Sequence, residues 1–276
     1  MITIDAHQHF WKYDPLKHSW INEDMANIRK DFLPAQLSVV LQANRVDGCV
    51  AVQAEQTVKE TEFLLQLSDQ YDFIKGVVGW VDLSSSNAES QLAGFQQFEL
   101  LKGIRHILQG ESRKDYCLDP SFLKGIALLK KYGLTYDILI LPDQLQYIPA
   151  FVAQFPDQRF VIDHLAKPLI KSGETEDWKK RIAGVASFEN VYCKISGMVT
   201  EADLKNWQQK DIIPYIDVVV NAFGSKRIMY GSDWPVCLAA ADYSDVIHLV
   251  RDYFSSFSVD EQKFFFGQNA IDFYQL

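Results

Sequence analysis

The chain has 276 residues, 48% of them hydrophobic and 23% charged. A single α/β barrel fills that length, and the composition excludes collagen-like, disordered and disulfide-scaffold classes. Thirty-six acidic residues against 27 basic ones give a net charge of −9. The longest basic cluster is Lys179–Arg181, so no nucleic-acid partner is expected, because a phosphate backbone calls for a basic stripe. No run of about 18 apolar residues suggests a membrane span, and the first residues lack the pattern of a secretion signal. The expected location is the cytoplasm. Cys49, Cys117, Cys193 and Cys237 form no C-x-x-C pair and read as ordinary free or buried thiols.

In chain order, β-rich runs occur at Ile2–Ala6, Gly48–Ala54, Ile74–Val81, Lys102–Ile107, Leu134–Ile140, Arg159–Asp163, Val191–Ile195 and Arg227–Tyr230. Several are almost continuously apolar, as strands buried on both faces of a parallel sheet must be. Helical spacing fills the intervals at Lys59–Tyr71, Pro120–Tyr132, Asp143–Phe155, Glu176–Phe188, Asp203–Phe223 and Tyr243–Phe257. Pro120 follows Asp119, a sound helix start, and Gly133 supplies the stop. Eight strand–helix units and no G-x-G-x-x-G turn predict one closed (β/α)8 TIM barrel over residues 1–276 rather than an open doubly wound sheet. The connection after strand one is extended, running from His7 to a helix near Pro34, and it carries Phe10, Trp11, Tyr13, His18 and Trp20. Such a loop at the carboxyl end of a barrel is expected to form a pocket wall or lid.

The ionisable residues at strand ends carry the functional signal. His7 and His9 close strand one as H-x-H, and residues two apart share a face of an extended chain. Two neutral imidazoles so placed suit Zn²⁺ or a similar divalent ion. His106 closes strand four, His164 strand six and Asp233 strand eight. Four of six histidines and an aspartate thus fall on one rim, which scattered structural histidines seldom do. His248 reads as an ordinary helix-face residue and His18 as a solvated loop residue.

The segments Ile4-Asp5-Ala6-His7-Gln8-His9-Phe10-Trp11, Gly103-Ile104-Arg105-His106-Ile107-Leu108-Gln109, Ile162-Asp163-His164-Leu165-Ala166-Lys167-Pro168 and Tyr230-Gly231-Ser232-Asp233-Trp234-Pro235 resemble the amidohydrolase superfamily. Within it they resemble the amidohydrolase-2 branch, with sugar lactonases of the L-fuconolactonase and L-rhamnonolactonase type. Phe266-Gly267-Gln268-Asn269-Ala270 resembles that family's last helix. The resemblance implies a distorted barrel with an extra C-terminal helix, catalytic roles for Asp233, His164, His7 and His9, and possible metal ligation by His7, His9 and Asp233. Tyr136-Asp137-Ile138-Leu139 offers neither the strand-five histidine nor a bridging lysine, which argues against a two-metal centre. One divalent ion (zinc) or a metal-independent site both stay open, since the branch includes lactonases of each kind.

The expected reaction is hydrolysis of a small-molecule sugar lactone, an L-fuconolactone-like aldonolactone, to the aldonic acid. Asp233 takes the proton of the attacking water and the rim histidines polarise the carbonyl. Expected substrate contacts are His106, Arg105, Lys167, Trp11, Trp20 and Trp234. Strand alternation puts Arg105 and His106 on opposite faces, and register favours His106 as the one at the mouth. With eight arginines in the chain, two of them near the fourth-strand rim, a neutral lactone fits better than a dicarboxylate needing bidentate clamps. The rivals are a metal-dependent decarboxylase of a small aromatic acid and a non-catalytic sugar-binding barrel. No heptad repeat points to an oligomeric state.

Overall fold

A computed structural model describes residues 1–276 and shows the eight strands in one parallel sheet, paired in chain order. They are β1 (Ile4–Gln8), β2 (Gly48–Val52), β3 (Ile74–Gly79), β4 (Leu101–His106), β5 (Thr135–Ile138), β6 (Phe160–Ile162), β7 (Val191–Ile195) and β8 (Ile228–Tyr230). The barrel closes where the His9 amide donates to the Trp234 carbonyl (2.7 Å) and the Asp233 amide to the His7 carbonyl (2.8 Å). Asp5 reinforces the seam by accepting the Ser232 amide at 2.9 Å and the Tyr243 hydroxyl at 3.1 Å.

The helices are α1 (Pro34–Ala43), α2 (Val58–Gln70), α3 (Ala88–Phe95), α4 (Pro120–Leu129), α5 (Ile148–Val152), α6 (Glu176–Ala186), α7 (Met198–Glu201), α8 (Gln209–Phe223), α9 (Tyr243–Phe254), α10 (Val259–Lys263) and α11 (Asn269–Tyr274). A π-helical turn at Phe264–Gln268 joins the last two. No helix is long and apolar enough to cross a membrane. All four cysteines are free and buried.

Two helices are shorter than their apolar spacing predicts. The Asp203–Phe223 pattern becomes helical only at Gln209, because Asp203 Oδ1 accepts the amides of Lys205 and Asn206 in a turn. Before α5 the chain runs as a 3-10 segment, Pro142–Tyr147. Pro149 lacks the amide that an α-turn there would need, so the regular helix is cut to five residues. Strand one also ends two residues later than expected. One extra β1 residue lies between Asp5 and Gln8 against β2, where Asp5 pairs with Cys49 and Gln8 with Ala51. Such a bulge re-aims side chains, and it carries His7 to the barrel mouth.

Strand alternation sorts the interior. Tyr136, Ile138, Phe160, Ile162, Cys193 and Ile195 belong to the large apolar layer between sheet and helices. Ile4, Ala6, Val50, Val52, Val78, Val161 and Met229 form a smaller cluster with Phe273 and Tyr274 of α11. That inner cluster is the floor on which the ionisable groups stand.

α4 packs onto the β3–α3 connection at Gly125, where a Cβ would lie 2.1 Å from the Leu83 carbonyl oxygen. Gly125→Ala is therefore expected to lose about 1–3 kcal/mol through backbone overpacking. Urea unfolding should show a lower midpoint at unchanged slope; a midpoint equal to that of the parent protein would contradict this packing.

Candidate active site

At the carboxyl end of the barrel, His7 and His9 leave β1, Arg105 leaves β4, and Asp163 and His164 follow β6. Asp233 follows β8 with φ +59°. The β6 turn is the most strained segment: His164, Leu165, Ala166 and Lys167 all have positive φ, between 50° and 58°. Left-handed backbone costs a non-glycine residue about 1–2 kcal/mol, so this turn has to be held. Trp178 donates its indole N–H to the Leu165 carbonyl (2.8 Å), and His164 Nδ1 meets the Ser196 hydroxyl at 2.8 Å. Gly197, itself at φ +64°, makes room; a Cβ there would stand 2.6 Å from His164 Nδ1.

The three imidazoles are anchored by Nδ1 and converge through Nε2. His9 Nδ1 donates to the Val52 carbonyl (2.7 Å), and His7 Nδ1 lies 3.2 Å from Asp163 Oδ1. His7 and His9 bring their Nε2 atoms within 3.2 Å of one another. Asp233 Oδ1 faces His9 Nε2 at 3.3 Å, His164 Nε2 at 3.8 Å and His7 Nε2 at 3.9 Å. Arg105 Nη1 reaches His7 Nε2 (3.2 Å) and Asp163 Oδ2 (3.1 Å), while its Nη2 donates to the Gln53 carbonyl.

Burial tunes these groups for chemistry at neutral pH. It lowers the His164 pKa to about 4 and drives His7 well below the usual histidine range, so both are neutral near pH 7. Burial alone would raise the Asp233 carboxyl, but the facing His164 and His9 outweigh it and keep the group ionised. Ligand atoms of His7, His164 and Asp233 all lie within 4.8 Å of one another. Two neutral imidazoles and a carboxylate suit a divalent ion. The charge count agrees: Arg105 and Lys194 against Asp137, Asp163 and Asp233 leave one uncompensated negative charge.

A cavity of about 260 Å³ opens above this cluster, lined on its polar side by His9, Arg105, Gln109, His164, Lys167 and Asp233. Trp20, Ala54, Ile107, Leu139 and Val236 supply its apolar wall. A larger outer cleft of about 580 Å³, near Asp143, Glu174 and Asp177, contains none of the strand-end groups.

Among the expected substrate contacts, Arg105, Lys167 and Trp20 line the cavity. The preference for His106 is reversed: its ring stacks on Tyr116 and bonds Trp80 and Glu111, on the outer face of β4. Trp11 and Trp234 are buried beneath the wall. Trp11 donates to the Lys30 carbonyl and Trp234 packs on Phe10 and Phe32, so neither reaches the cavity. His18 is not solvated; it is fully buried between Tyr13 and Trp11.

Sequence reasoning missed Lys194, which is fully buried with Nζ 2.5 Å from Asp137 Oδ2, 3.0 Å from Asp163 Oδ1 and 3.1 Å from His7 Nδ1. The available signal was one ionisable residue inside each of the apolar strand segments Thr135–Ile138, Phe160–Asp163 and Val191–Ile195. Gln109 was also missed.

The chain belongs to the amidohydrolase family: the family model described as Amidohydrolase matches residues 4–276. It is 35% identical over 286 residues to an L-fucono-1,5-lactonase of Burkholderia multivorans, covering 100% of this chain and 96% of the relative. It is also 35% identical to an L-fucono-1,5-lactonase of Burkholderia ambifaria, over 99% of this chain and 95% of that one. The crystal structure of a Burkholderia multivorans amidohydrolase with bound zinc superposes with a TM-score of 0.96 at 35% identity, covering all of both chains.

Protonating His164 opposes folding. Between pH 6.5 and about 4 the unfolded chain binds a proton that the native imidazole refuses, so this contribution is complete above 6.5 and lost as the pH falls toward 4. Asp5, raised to about 6 by burial, acts in the opposite direction. The informative quantity is thus the stability difference between the parent and His164→Asn metal-free proteins. It should shrink as pH drops from 7 to 4.5 in urea titrations, and a pH-independent difference would contradict a neutral His164.

Proposed function

We propose that the protein hydrolyses a neutral sugar lactone, an aldonolactone of the L-fuconolactone kind, to the aldonic acid. The observation carrying this reading is the ionised Asp233 surrounded by three imidazole Nε2 atoms on the floor of a cavity sized for one small ring. Full-length similarity to two L-fucono-1,5-lactonases supports the substrate class.

The reaction needs an activated water, a stabilised oxyanion and a proton for the leaving alkoxide. Asp233 removes the water's proton as the oxygen attacks the lactone carbon. His164 and Arg105, which line the cavity, supply positive potential toward the carbonyl oxygen as its negative charge develops. The tetrahedral intermediate then collapses with cleavage of the ring C–O bond, and Asp233 returns its proton to the departing alkoxide, which becomes the hydroxyl of the aldonic acid. His7, His164 and Asp233 would hold a divalent ion, which when bound lowers the pKa of a coordinated water and polarises the carbonyl.

The cations are already committed. Arg105 binds Asp163 and Gln53, and Lys167 Nζ is 3.2 Å from Glu201. No free bidentate clamp remains for a second substrate carboxylate, which supports a neutral lactone. Trp20, Ile107, Leu139 and Val236 cover apolar ring substituents.

Asp233→Asn should lower kcat on L-fuconolactone by about 10³-fold or more while the protein still unfolds cooperatively. Acid release followed with a pH indicator checks this. Near-parental turnover by Asp233→Asn, or no ring opening by the parent protein with and without added zinc, would overturn the reading.

A further inference from the structure

We infer that Lys194 is a positioning residue for His7, and that Tyr274 of α11 secures it from beneath the barrel. The inference rests on His7 serving in the site's chemistry. Its mechanism follows from which groups can only donate hydrogen bonds.

Arg105 offers donors alone, and its Nη1 stands 3.2 Å from His7 Nε2. Lys194, 3.1 Å from Nδ1, is also a pure donor, so its ammonium donates to that nitrogen and the ring is held from both sides. Asp163 Oδ1 lies 3.2 Å from the same Nδ1 and 3.0 Å from Lys194 Nζ, which keeps the ammonium beside the ring. Its other partner is Asp137 Oδ2 at 2.5 Å. The ammonium thus bridges two carboxylates and holds the ring that faces the cavity.

The bridge is braced by the last helix. The Tyr274 hydroxyl donates to the same Asp137 Oδ2 at 2.7 Å, and its ring lies 5.4 Å from Lys194 Nζ. Tyr274 belongs to the apolar floor cluster with Val161 and Met229. A line of contacts therefore runs Tyr274, Asp137, Lys194, Asp163, His7, from the barrel floor to the mouth. Groups that orient a metal-binding or catalytic imidazole typically change affinity or activity 10–100-fold when removed.

Lys194→Met alone would leave two buried carboxylates facing each other and could prevent folding. The charge-balanced pair Lys194→Met/Asp137→Asn removes one charge of each sign, and Tyr274→Phe removes only a hydroxyl. Three readouts apply to the full-length proteins: ¹⁵N signals of the His7 ring, zinc affinity, and kcat and KM on L-fuconolactone. In the parent protein His7 should show one tautomer, with Nδ1 hydrogen-bonded to the Lys194 ammonium. In the balanced double variant that signal should shift or broaden, zinc binding should weaken about 10–100-fold, and kcat should fall by a similar factor with KM within about two-fold. Tyr274→Phe should move each readout the same way by a smaller factor. A double variant that folds and keeps the parental His7 signals and zinc affinity would overturn the proposal. A parent protein inactive on lactones would overturn the function proposed above, while the ring signals and zinc affinity would still decide the role of Lys194.

Discussion

An ammonium buried between two carboxylates is the constraint on which the rest of the site depends. Lys194, Asp137 and Asp163 have no exposed surface, and taking one such charge out of water costs several kcal/mol unless partners repay it. Here each charge is repaid by its neighbours and by Arg105. The arrangement is tolerable only because the barrel walls hold every partner on a strand. It leaves Asp233 without a fixed cation, facing the cavity among three imidazoles. In the proposed reaction the chemistry is thereby concentrated on that group.

A second cost is conformational. Four consecutive left-handed residues after β6 and a fifth at Asp233 would not form in an unconstrained chain. Their strain turns His164 toward Asp233 within a few residues of the strand end, where a relaxed turn would carry it away. The price is met by packing elsewhere: the Trp178 hydrogen bond, the gap left by Gly197, and the seam at Asp5. The large apolar layer between sheet and helices supplies the stability that tolerates both costs.

The barrel was legible because its signal is redundant: eight apolar runs in regular alternation with helical spacing predict closure even when individual boundaries slip by two residues. The residues at strand exits, His7, His9, His164 and Asp233, were legible for a similar reason, as ionisable groups where apolar runs stop. Arg105 and His106 show the limit. Both sit at the end of β4, and only the phase of alternation decides which enters the barrel; judging by nearness to the rim selected His106, and the structure turns it outward. The buried indoles of Trp11 and Trp234 were misplaced because composition cannot tell a cavity wall from the layer behind it. Lys194 escaped notice because its partners lie 57 and 31 positions away along the chain, and only strand register, which the sequence does not show, turns all three side chains to the same interior. The left-handed turn at 164–167 had no local signature, since none of its four residues is glycine.

In the proposed reaction Asp233 is a base that activates water, not a nucleophile that attacks the lactone. A single turnover of L-fuconolactone in H₂¹⁸O, with enzyme in excess, tests this most directly. One heavy oxygen should appear in the carboxylate of the released aldonate and none in the peptide containing Asp233. Label in Asp233 with an unlabelled product would mean covalent attack by its carboxylate, and would contradict the account.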